Sequence, residues 1–461
     1  MNFSNIHTVY LIGIGGIGMS ALARYFNSQG KNVEGYDKTP TLITDALVSE
    51  NIKVYFEDNL DVISDEIKNA EHKNQVLVIV TPAIPYDHTQ LNYFKNNNYI
   101  IYKRSEILGL IVRHHQTIAI AGTHGKTTVS TMVSHILTTS ELKCNAFLGG
   151  ISQNYNTNLI LSPKSNNYVV EADEFDRSFL KLFPHITLIT SIDADHLDIY
   201  SGLEEIQQTF SLFANQTQNN GFLVHKKGLP LHINSINSFK TFTYSLNEKA
   251  DFYASDIKVV NNKYTFTFNS PKGQIKNVVL GTIGLINVEN AIAAMSVCYL
   301  LNVDENSMKK AVETFRGVER RFQVHINNSK MLYIDDYAHH PEEIKALISS
   351  IRNMYPDKKI SGIFQPHLFS RTRDLADDFA KSLSLLDELF LLDIYPAREL
   401  PIKGVTSKII FDKVKITNKR LCKKDSLMQE IINKKFEILL TIGAGDVTNL
   451  VEPIKKAFNK V

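Results

Sequence analysis

The sequence predicts an α/β fold that is divided into three domains. Strand-like apolar runs alternate with helical patterns along most of the chain, which favours parallel sheets covered by helices. The 461 residues are too many for one hydrophobic core, and a typical domain of about 150 residues suggests about three domains. Two glycine-bearing loops, each between a strand and a helix, predict phosphate-binding sites in the first two domains.

The composition is that of an ordinary globular protein. Lysine and arginine number 50 against 48 aspartates and glutamates, and a formal charge of +2 argues against binding nucleic acid or membranes through bulk charge. The cysteines (Cys144, Cys298 and Cys422) form no CxxC pair, so we expect free thiols in a reducing compartment. Glycines interrupt the apolar run at residues 9–17, and no later run approaches the ~18 apolar residues of a membrane span. These observations predict a cytoplasmic protein.

The first domain is predicted to bind a diphosphate. A strand at residues 8–14 leads into the turn GIGGIG at residues 13–18, and a helix follows at residues 20–28. A GxGxxG turn lets a diphosphate approach the N-terminus of the helix. Asp37 stands about twenty residues further on, where a dinucleotide-binding protein has its ribose-binding acid, so a dehydrogenase is one alternative. Glycines that only permit close packing of strand and helix are a second alternative.

The second domain begins at a phosphate-binding loop. A β-branched strand at residues 118–121 leads into the loop, which consists of Gly122, Thr123, His124, Gly125, Lys126, Thr127 and Thr128. Backbone N–H groups and the positive end of the next helix face an anion there, Lys126 adds a positive charge, and Thr127 can hold Mg²⁺. The loop is shorter than the usual GxxxxGK[ST] pattern, whose first glycine would fall at Ile120. A chain with both a diphosphate turn and a phosphate loop is expected to join a UDP- or ADP-type substrate to a nucleoside triphosphate.

Acidic side chains end two later strands of the second domain. The first group is Glu171, Asp173 and Glu174, and the second is Asp193, Asp195, His196 and Asp198. Because the carboxyl ends of strands face the ligand crevice of an open α/β sheet, these groups and Thr127 are candidates for an Mg²⁺ site at the β- and γ-phosphates. Solvated loop charge is the alternative explanation of such clusters.

The alternation of patterns predicts the remaining strands and a junction. Strands are expected at residues 32–36, 75–80, 168–171, 186–191, 241–244, 257–260, 264–268, 331–334, 360–364, 388–392 and 437–442. A helix carrying Asn287 and Asn290 closes the second domain, and residues 317–322 look like the junction to the third.

Polar side chains also end the strands of the third domain. They form the segments DDYAHHP at residues 335–341, FQPHLFSRTR at 364–373 and DIYP at 393–396. Paired histidines at 339 and 340 raise the alternative of a metal site, but the spacing around them favours orientation of a substrate. Arginine forks after a strand suit a carboxylate or an acyl-phosphate, although a single such segment is more often a basic surface patch.

Together these segments resemble the Mur ligase family, which builds the peptide stem of bacterial peptidoglycan. The resemblance covers essentially the whole chain and rests on GIGGIGMS at 13–20, GTHGKTTV at 122–129, EADE at 171–174, DADHLD at 193–198, NVENAIAA at 287–294, GVERRF at 317–322, DDYAHHP at 335–341, FQPH at 364–367, SRTRDL at 370–375 and DIYPARE at 393–399. Their joint order is much more specific than any one motif.

The resemblance implies a Rossmann-like UDP-sugar-binding domain at residues 1–104 and an ATP-binding P-loop domain at 105–317. The second of these is expected to hold a mainly parallel sheet with a strand-rich part. A Rossmann-like amino-acid-binding domain is expected at 318–461. The implied activity is ATP- and Mg²⁺-dependent amide ligation through an acyl-phosphate, with UDP-N-acetylmuramate and L-alanine as small-molecule substrates. We expect a monomer or homodimer in the cytoplasm, with no nucleic-acid or membrane partner.

The resemblance also implies the roles of individual residues. The catalytic set is Lys126, Glu171, His196, His339 and Arg371, and the Mg²⁺ ligands are Thr127, Glu171 and His196. ATP is expected at residues 122–128 and at Asn287, Asn290, Arg321 and Asp336. The UDP-sugar is expected at Gly15, Gly16, Ile17, Gly18 and Asp37, and the amino acid at Tyr337, His339, His367 and Arg371. Two positions depart from the family pattern: Ile286 replaces a frequent histidine and Leu368 a frequent basic residue.

Three other activities remain as alternatives. A recycling member of the same family attaches a whole murein tripeptide to the same UDP-sugar, and the segments FQPH and SRTRDL favour a single amino acid only by resemblance. A P-loop nucleotide switch predicts slow turnover without an amide product, and a dehydrogenase predicts NAD-dependent absorbance changes. Neither of the last two explains the polar strand ends of the third domain.

Overall fold

The computed structural model describes residues 3–69, 73–194, 199–397 and 399–459. Within these residues the strands form three sheets, of five, ten and six strands. The chain packs into two compact units. The first consists of Met1–Ser255, Phe268–Lys276 and Asn290–Val312, and the second of Asp256–Thr267, Asn277–Glu289 and Glu313–Val461.

The first sheet forms around the N-terminal glycine turn. Its strands are β1 (Thr8–Ile12), β2 (Asn32–Tyr36), β3 (Lys53–Tyr55), β4 (Val76–Val80) and β5 (Ile100–Lys103), all parallel and in the order β3-β2-β1-β4-β5. Its helices are α1 (Ile17–Ser28), α2 (Leu42–Ser49), α3 (Asp65–Lys68), α4 (Thr89–Asn96) and α5 (Arg104–Val112). Because β1 lies between β2 and β4, the winding reverses beside the glycine turn, where such sheets bind ligands.

The second sheet carries the phosphate loop. Its strands are β6 (Gln116–Ala121), β7 (Asn145–Ser152), β8 (Thr157–Ile160), β9 (Asn167–Glu171), β10 (Ile186–Ile189), β11 (Phe222–Lys226), β12 (Lys240–Ser245), β13 (Phe252–Val260), β14 (Lys263–Ser270) and β15 (Gly273–Val279). They follow the order β15-β14-β13-β12-β11-β10-β6-β9-β7-β8. The accompanying helices are α6 (Lys126–Thr139), α7 (Leu203–Asn215), α8 (Leu285–Leu300) and α9 (Glu305–Thr314). Strand β6 lies between β10 and β9, so the ends of all three strands face the loop.

The hairpin of β7 and β8 packs on helix α1, which follows the glycine turn. Asn158 is fully buried there, and its side-chain amide donates to the carbonyl oxygen of Ile17 at 2.6 Å and to the hydroxyl of Ser20 at 2.9 Å. Its carbonyl oxygen accepts from Arg24 at 2.6 Å. This buried amide therefore fixes the first turn of α1 against the second sheet.

The third sheet lies in the second unit. Its strands are β16 (Gln323–Asn327), β17 (Leu332–Asp336), β18 (Ile360–Phe364), β19 (Glu388–Leu391), β20 (Lys419–Leu421) and β21 (Ile438–Ile442), in the order β16-β17-β21-β18-β19-β20. Its helices are α10 (Pro341–Met354), α11 (Phe369–Asp374), α12 (Ala376–Leu383), α13 (Lys408–Phe411), α14 (Lys424–Ile431) and α15 (Val451–Phe458). Only the pair of β16 and β17 is antiparallel among the described pairs of this sheet.

The strands predicted from the sequence are confirmed, including the strand-rich stretch that now forms β12, β13 and β14. Short or polar strands, such as β3, β8 and β20, were not predicted, because they carry too few apolar residues to show a period. The three cysteines are buried free thiols, as expected. Of the helices that the structure describes, none has the length and apolar character needed to cross a membrane.

Candidate active site

The phosphate loop is held in place by the end of strand β10. Gly122 and Gly125 have φ angles of +135° and +83°, and a Cβ on Gly122 would lie 2.1 Å from the hydroxyl of Thr190. The backbone N–H of His124 donates to the Ser191 hydroxyl at 2.8 Å, and that of Thr123 donates to the Ser191 carbonyl oxygen at 3.2 Å. Contacts with this neighbouring segment thus support a loop that is shorter than the usual pattern.

Lys126 begins helix α6 and is held by a buried carboxylate. Its ammonium group donates to both oxygens of Glu174, at 2.8 and 2.7 Å, and to the carbonyl oxygen of Gly122 at 2.6 Å. The side chain of Glu174 is 1% exposed and that of Lys126 is 13% exposed. Burial favours the neutral amine, but the carboxylates of Glu174, Asp173 and Glu171 outweigh it and raise the pKa of Lys126. The loop therefore carries a charged lysine whose hydrogen bonds already reach protein acceptors.

Oxygen ligands suited to Mg²⁺ lie beside the loop. Glu171 ends strand β9, and its carboxylate occupies the space above Gly149, where a Cβ would stand 2.1 Å from Oε2. Thr127 lies in the first turn of α6 and is buried. A hydroxyl and a carboxylate are the hard oxygen donors that Mg²⁺ prefers, so these two residues fit the ion. His196, the third predicted ligand, lies outside the described residues, and the described part holds no cluster of three or more His, Cys, Asp or Glu with metal-binding geometry.

The diphosphate turn is braced by Asp37. Its Oδ2 accepts from the backbone N–H of Gly15 at 2.7 Å, and its Oδ1 accepts from that of Thr39 at 3.3 Å. Gly16 is the N-cap of helix α1, and the helix begins at Ile17. The turn therefore has the predicted strand–turn–helix geometry, and the structure assigns Asp37 a bracing contact that the sequence did not reveal.

One acidic segment connects the two glycine loops. Glu174 holds Lys126, and the neighbouring Asp173 lies 3.5 Å from the guanidinium of Arg104. Asp176, which is three residues after Asp173, forms an ion pair of 3.0 Å with Lys103. The sequence marked Asp173 and Glu174 only as possible metal ligands and did not select Asp176. Their cationic partners depend on which strands are neighbours, which no local pattern reveals.

The segment NVENAIAA at residues 287–294 contributes one residue beside the phosphate loop. Asn290 is buried on helix α8, and its side-chain oxygen lies 3.1 Å from the position that a Cβ on Gly125 would occupy. Asn287 is also buried, and its amide donates to the carbonyl oxygen of Ile283 at 2.7 Å. Ile286, the departure from the family pattern, is 38% exposed.

In the second unit, the junction segment meets the end of strand β17. Asp336 accepts from the backbone N–H of Phe322 at 2.6 Å and from that of Ala338 at 2.7 Å. Burial raises the pKa of its carboxyl group to about 6, although Arg321 opposes the shift. The guanidinium groups of Arg320 and Arg321 form cation–π contacts with the ring of Tyr337, at 4.8 and 5.0 Å from its centre.

The predicted amino-acid site is a row of rings at the ends of β17 and β18. Tyr337 and His339 have ring centres 5.3 Å apart, His339 and His367 6.0 Å, and His367 and Tyr395 5.7 Å. His340 does not join this row, since its backbone N–H and that of His339 donate to Glu343 in the capping box of helix α10. Pro341 at the helix start and Glu343 two positions later are the sequence signals of that cap.

Arg371 lies on helix α11, directly after the row of rings. The backbone N–H of Ser370 donates to Glu399 at 3.0 Å, which fixes the start of the helix. Leu368 precedes it with a φ of +70° and is 9% exposed. Arg320, which the sequence analysis did not select, donates to the carbonyl oxygens of Gly443 at 2.6 Å and Gly445 at 3.3 Å. A pair of adjacent arginines was the only signal for it.

The class of protein follows from three features: α/β domains, a phosphate loop that holds a charged lysine, and polar side chains at the strand ends. Together they define an ATP-dependent enzyme of the P-loop class. The Mur ligase family, catalytic domain, matches residues 8–116. The Mur ligase middle domain matches residues 120–298, and the glutamate ligase domain of the same family matches residues 320–447. The chain belongs to the Mur ligase family, which confirms the resemblance and the three-domain α/β architecture.

The similar proteins include two ligases for L-alanine or alanine and one for a murein peptide. A UDP-N-acetylmuramate–L-alanine ligase of Parabacteroides distasonis is 47% identical over 460 residues, which cover 100% of this chain and 99% of that protein. The crystal structure of a UDP-N-acetylmuramate–alanine ligase from Thermotoga maritima matches with a TM-score of 0.83 and 26% identity, covering 98% of this chain and 99% of the other. A murein peptide ligase from Psychrobacter arcticus shares the fold at 19% identity, with a TM-score of 0.71 and 99% of each chain covered.

Proposed function

We propose that this protein joins L-alanine to the lactyl carboxylate of UDP-N-acetylmuramate in an ATP-dependent reaction of peptidoglycan precursor synthesis. The observation that carries the proposal is the acidic segment at residues 173–174, which connects a diphosphate turn with a phosphate loop in one compact unit. This geometry supports the transfer of a phosphoryl group from ATP to a nucleotide-linked acid. The 47% identity to an L-alanine ligase over the full length supports a single amino acid as the acceptor, in place of the tripeptide of the recycling alternative.

Phosphorylation converts a poor electrophile into a reactive one. The lactyl carboxylate attacks the γ-phosphate, which gives an acyl-phosphate and ADP. The amine of L-alanine then attacks the acyl carbon, and inorganic phosphate leaves from a tetrahedral intermediate. We assign Lys126 and the N–H groups of residues 122–128 to the transferred phosphoryl group, whose charge they neutralise by position and electrostatics. Thr127, Glu171 and His196 would hold Mg²⁺, which supplies further positive charge at the β- and γ-phosphates.

The substrates are proposed to bind at the residues that the family resemblance implies. Gly15, Gly16, Ile17, Gly18 and Asp37 would bind the UDP-sugar. Asn287, Asn290, Arg321 and Asp336 would border ATP. Tyr337, His339, His367 and Arg371 would hold L-alanine and the acyl-phosphate. The closely spaced rings of Tyr337, His339 and His367 support a common role for these three residues.

We propose domain limits of 1–104, 105–317 and 318–461, and a monomer or homodimer that acts in the cytoplasm. The location follows from the proposed substrates, since ATP and UDP-linked sugars are made and used in that compartment. The ranges of the three family matches support these limits, and the largest difference, 19 residues, lies at the end of the second domain.

A substrate-omission assay tests this function. Purified protein is supplied with ATP, Mg²⁺, UDP-N-acetylmuramate and either L-alanine or the murein tripeptide, and both ADP and the amide product are quantified. We expect ADP and product in equal amounts with L-alanine, little of either with the tripeptide, and none with Lys126→Met. Full ATP hydrolysis without L-alanine or without the UDP-sugar would contradict coupled ligation. NAD-dependent absorbance changes in place of ADP would indicate the dehydrogenase.

A further inference from the structure

Arg104 occupies an unusual place at the first glycine turn. It begins helix α5 directly after strand β5, at the carboxyl edge of the first sheet. Its side chain lies against Gly18 in the first turn of α1, where a Cβ would stand 2.8 Å from Nη1 and 2.9 Å from Cδ of the arginine. The absence of a side chain at residue 18 therefore makes room for the arginine as well as for a ligand.

The electrostatics of this position favour a bound anion. The N-terminus of a helix carries partial positive charge, so a cation beside it is unfavourable unless negative charge lies between them. The first turn of α1 holds no acidic residue, and the Asp37 carboxylate accepts from the N–H of Gly15 on the preceding turn. Among the described residues, Asp173 is the one acceptor of a hydrogen bond from the Arg104 guanidinium, at the long distance of 3.5 Å.

The guanidinium is thus mostly buried and sparsely bonded. The Arg104 side chain is 20% exposed, and an arginine carries several N–H donors in a fixed fork that matches phosphate oxygens. The single long contact to Asp173 leaves most of these donors for another acceptor. The turn N–H groups, the helix end and this fork converge on one place, and all of them favour the same kind of ligand.

We propose that Arg104 binds the diphosphate of the UDP-sugar, with Asp173 as the residue that holds its side chain over the turn in the free protein. This inference rests on the proposed function and deepens it by naming the charged residue that recognises the nucleotide-sugar. The ligand chemistry is that of a nucleoside diphosphate ester. Uridine without phosphates would gain nothing from Arg104.

The test compares Arg104→Gln and Arg104→Lys with wild type. We expect the KM for UDP-N-acetylmuramate to rise about 10- to 100-fold in Arg104→Gln, the range of one charge-assisted hydrogen bond, and less in Arg104→Lys. The KM values for ATP and L-alanine should change by less than about threefold. In a binding competition without ligation, wild type should prefer UDP over uridine, and Arg104→Gln should reduce that preference about 10- to 100-fold.

Two controls separate binding from structure. Lys227→Gln removes an ion pair with Glu248, in which the lysine side chain is 45% exposed, and should leave every constant unchanged. Asp173→Asn removes the partner of Arg104 and should leave the preference for UDP over uridine intact. If Asp173→Asn, which retains Arg104, reduces the preference for UDP over uridine as much as Arg104→Gln does, the arginine has only a structural role and the proposal is wrong.

The remaining outcomes are also decisive. An unchanged UDP preference in Arg104→Gln overturns the proposal even when wild type ligates normally, so its failure is separate from failure of the proposed function. Melting temperatures establish that each variant folds. If Arg104→Gln does not fold, Arg104→Lys decides, because the charge remains while the fork is lost.

Discussion

Replacement of Glu174 by glutamine is expected to tighten nucleotide binding, although it removes a buried ion pair. In the free protein, both carboxylate oxygens of Glu174 accept hydrogen bonds from Lys126, the residue proposed to contact the phosphates of ATP. Lys126 donates a third bond to the Gly122 carbonyl oxygen. An ammonium group has three donors, and all three are engaged, so Lys126 must give up at least one of these contacts before it can bind a phosphate.

The size of the effect follows from burial. Removal of one partner from a buried ion pair costs about 3–5 kcal/mol when the other charge is left uncompensated. Glutamine retains one acceptor, and the lysine side chain is 13% exposed, so we expect a cost near 2 kcal/mol in the free protein. We expect the contacts with Glu174 to be the ones that are released, so that the nucleotide complex does not carry this cost. The dissociation constant should therefore fall about 30-fold, since 1.4 kcal/mol corresponds to a factor of ten.

Isothermal titration calorimetry with a non-hydrolysable ATP analogue and Mg²⁺ measures the change directly. Lys126→Met should weaken binding, and Glu248→Gln, which removes an exposed pair with Lys227, should have no effect. Thermal unfolding of the free protein should show that Glu174→Gln is less stable than wild type. Weaker nucleotide binding by Glu174→Gln would refute the reasoning, because it would mean that Glu174 still positions Lys126 in the complex.

Three further predictions concern other contacts. Gly149→Ala should displace the Glu171 carboxylate and raise the Mg²⁺ concentration for half-maximal ligation about tenfold. Asn158→Ala should lower the free energy of unfolding by about 2–3 kcal/mol, measured by urea denaturation, because buried hydrogen bonds to helix α1 are lost. Asp336, whose pKa burial raises from 3.8 to about 6, binds a proton more readily in the folded than in the unfolded protein. Its contribution to stability should fall as the pH rises from about 4 to 6, and the difference between wild type and Asp336→Asn should show that slope.

Each of these predictions has a contrary result. Gly202→Ala, at an open position, is the matched control for Gly149→Ala, and equal Mg²⁺ dependence of the two variants would exclude the effect on Glu171. Loss of stability below about 1 kcal/mol in Asn158→Ala would mean that water replaces the lost hydrogen bonds. A flat difference curve for Asp336→Asn would mean that the carboxyl group titrates alike in both states.

The sequence predicted the parts of the fold and site that are encoded locally. Strands such as β6 and β18 carry long apolar runs, and the glycine loops carry their own signals, so both could be recognised without knowledge of neighbours. The ion pairs of Lys126 and Arg104 could not be predicted from the sequence. The pair of Lys126 depends on β6 lying beside β9, and the pair of Arg104 depends on the first domain packing against the second. The capping box of His340 and Glu343 was also encoded locally, since Pro341 and the glutamates after it are the signals of a helix start.

The segment from Glu171 to Arg177 carries the acidic side chains and ends in a strained backbone. Asp176 and Arg177 both adopt left-handed backbone angles, with φ of +54° and +51°, which cost roughly 1 kcal/mol or more each for residues with a side chain. Such a conformation persists only where neighbouring contacts determine it. Here Lys103 pairs with Asp176 on one side and Glu205 pairs with Arg177 on the other. These two ion pairs flank the left-handed residues and oppose relaxation of the backbone directly after Asp173 and Glu174.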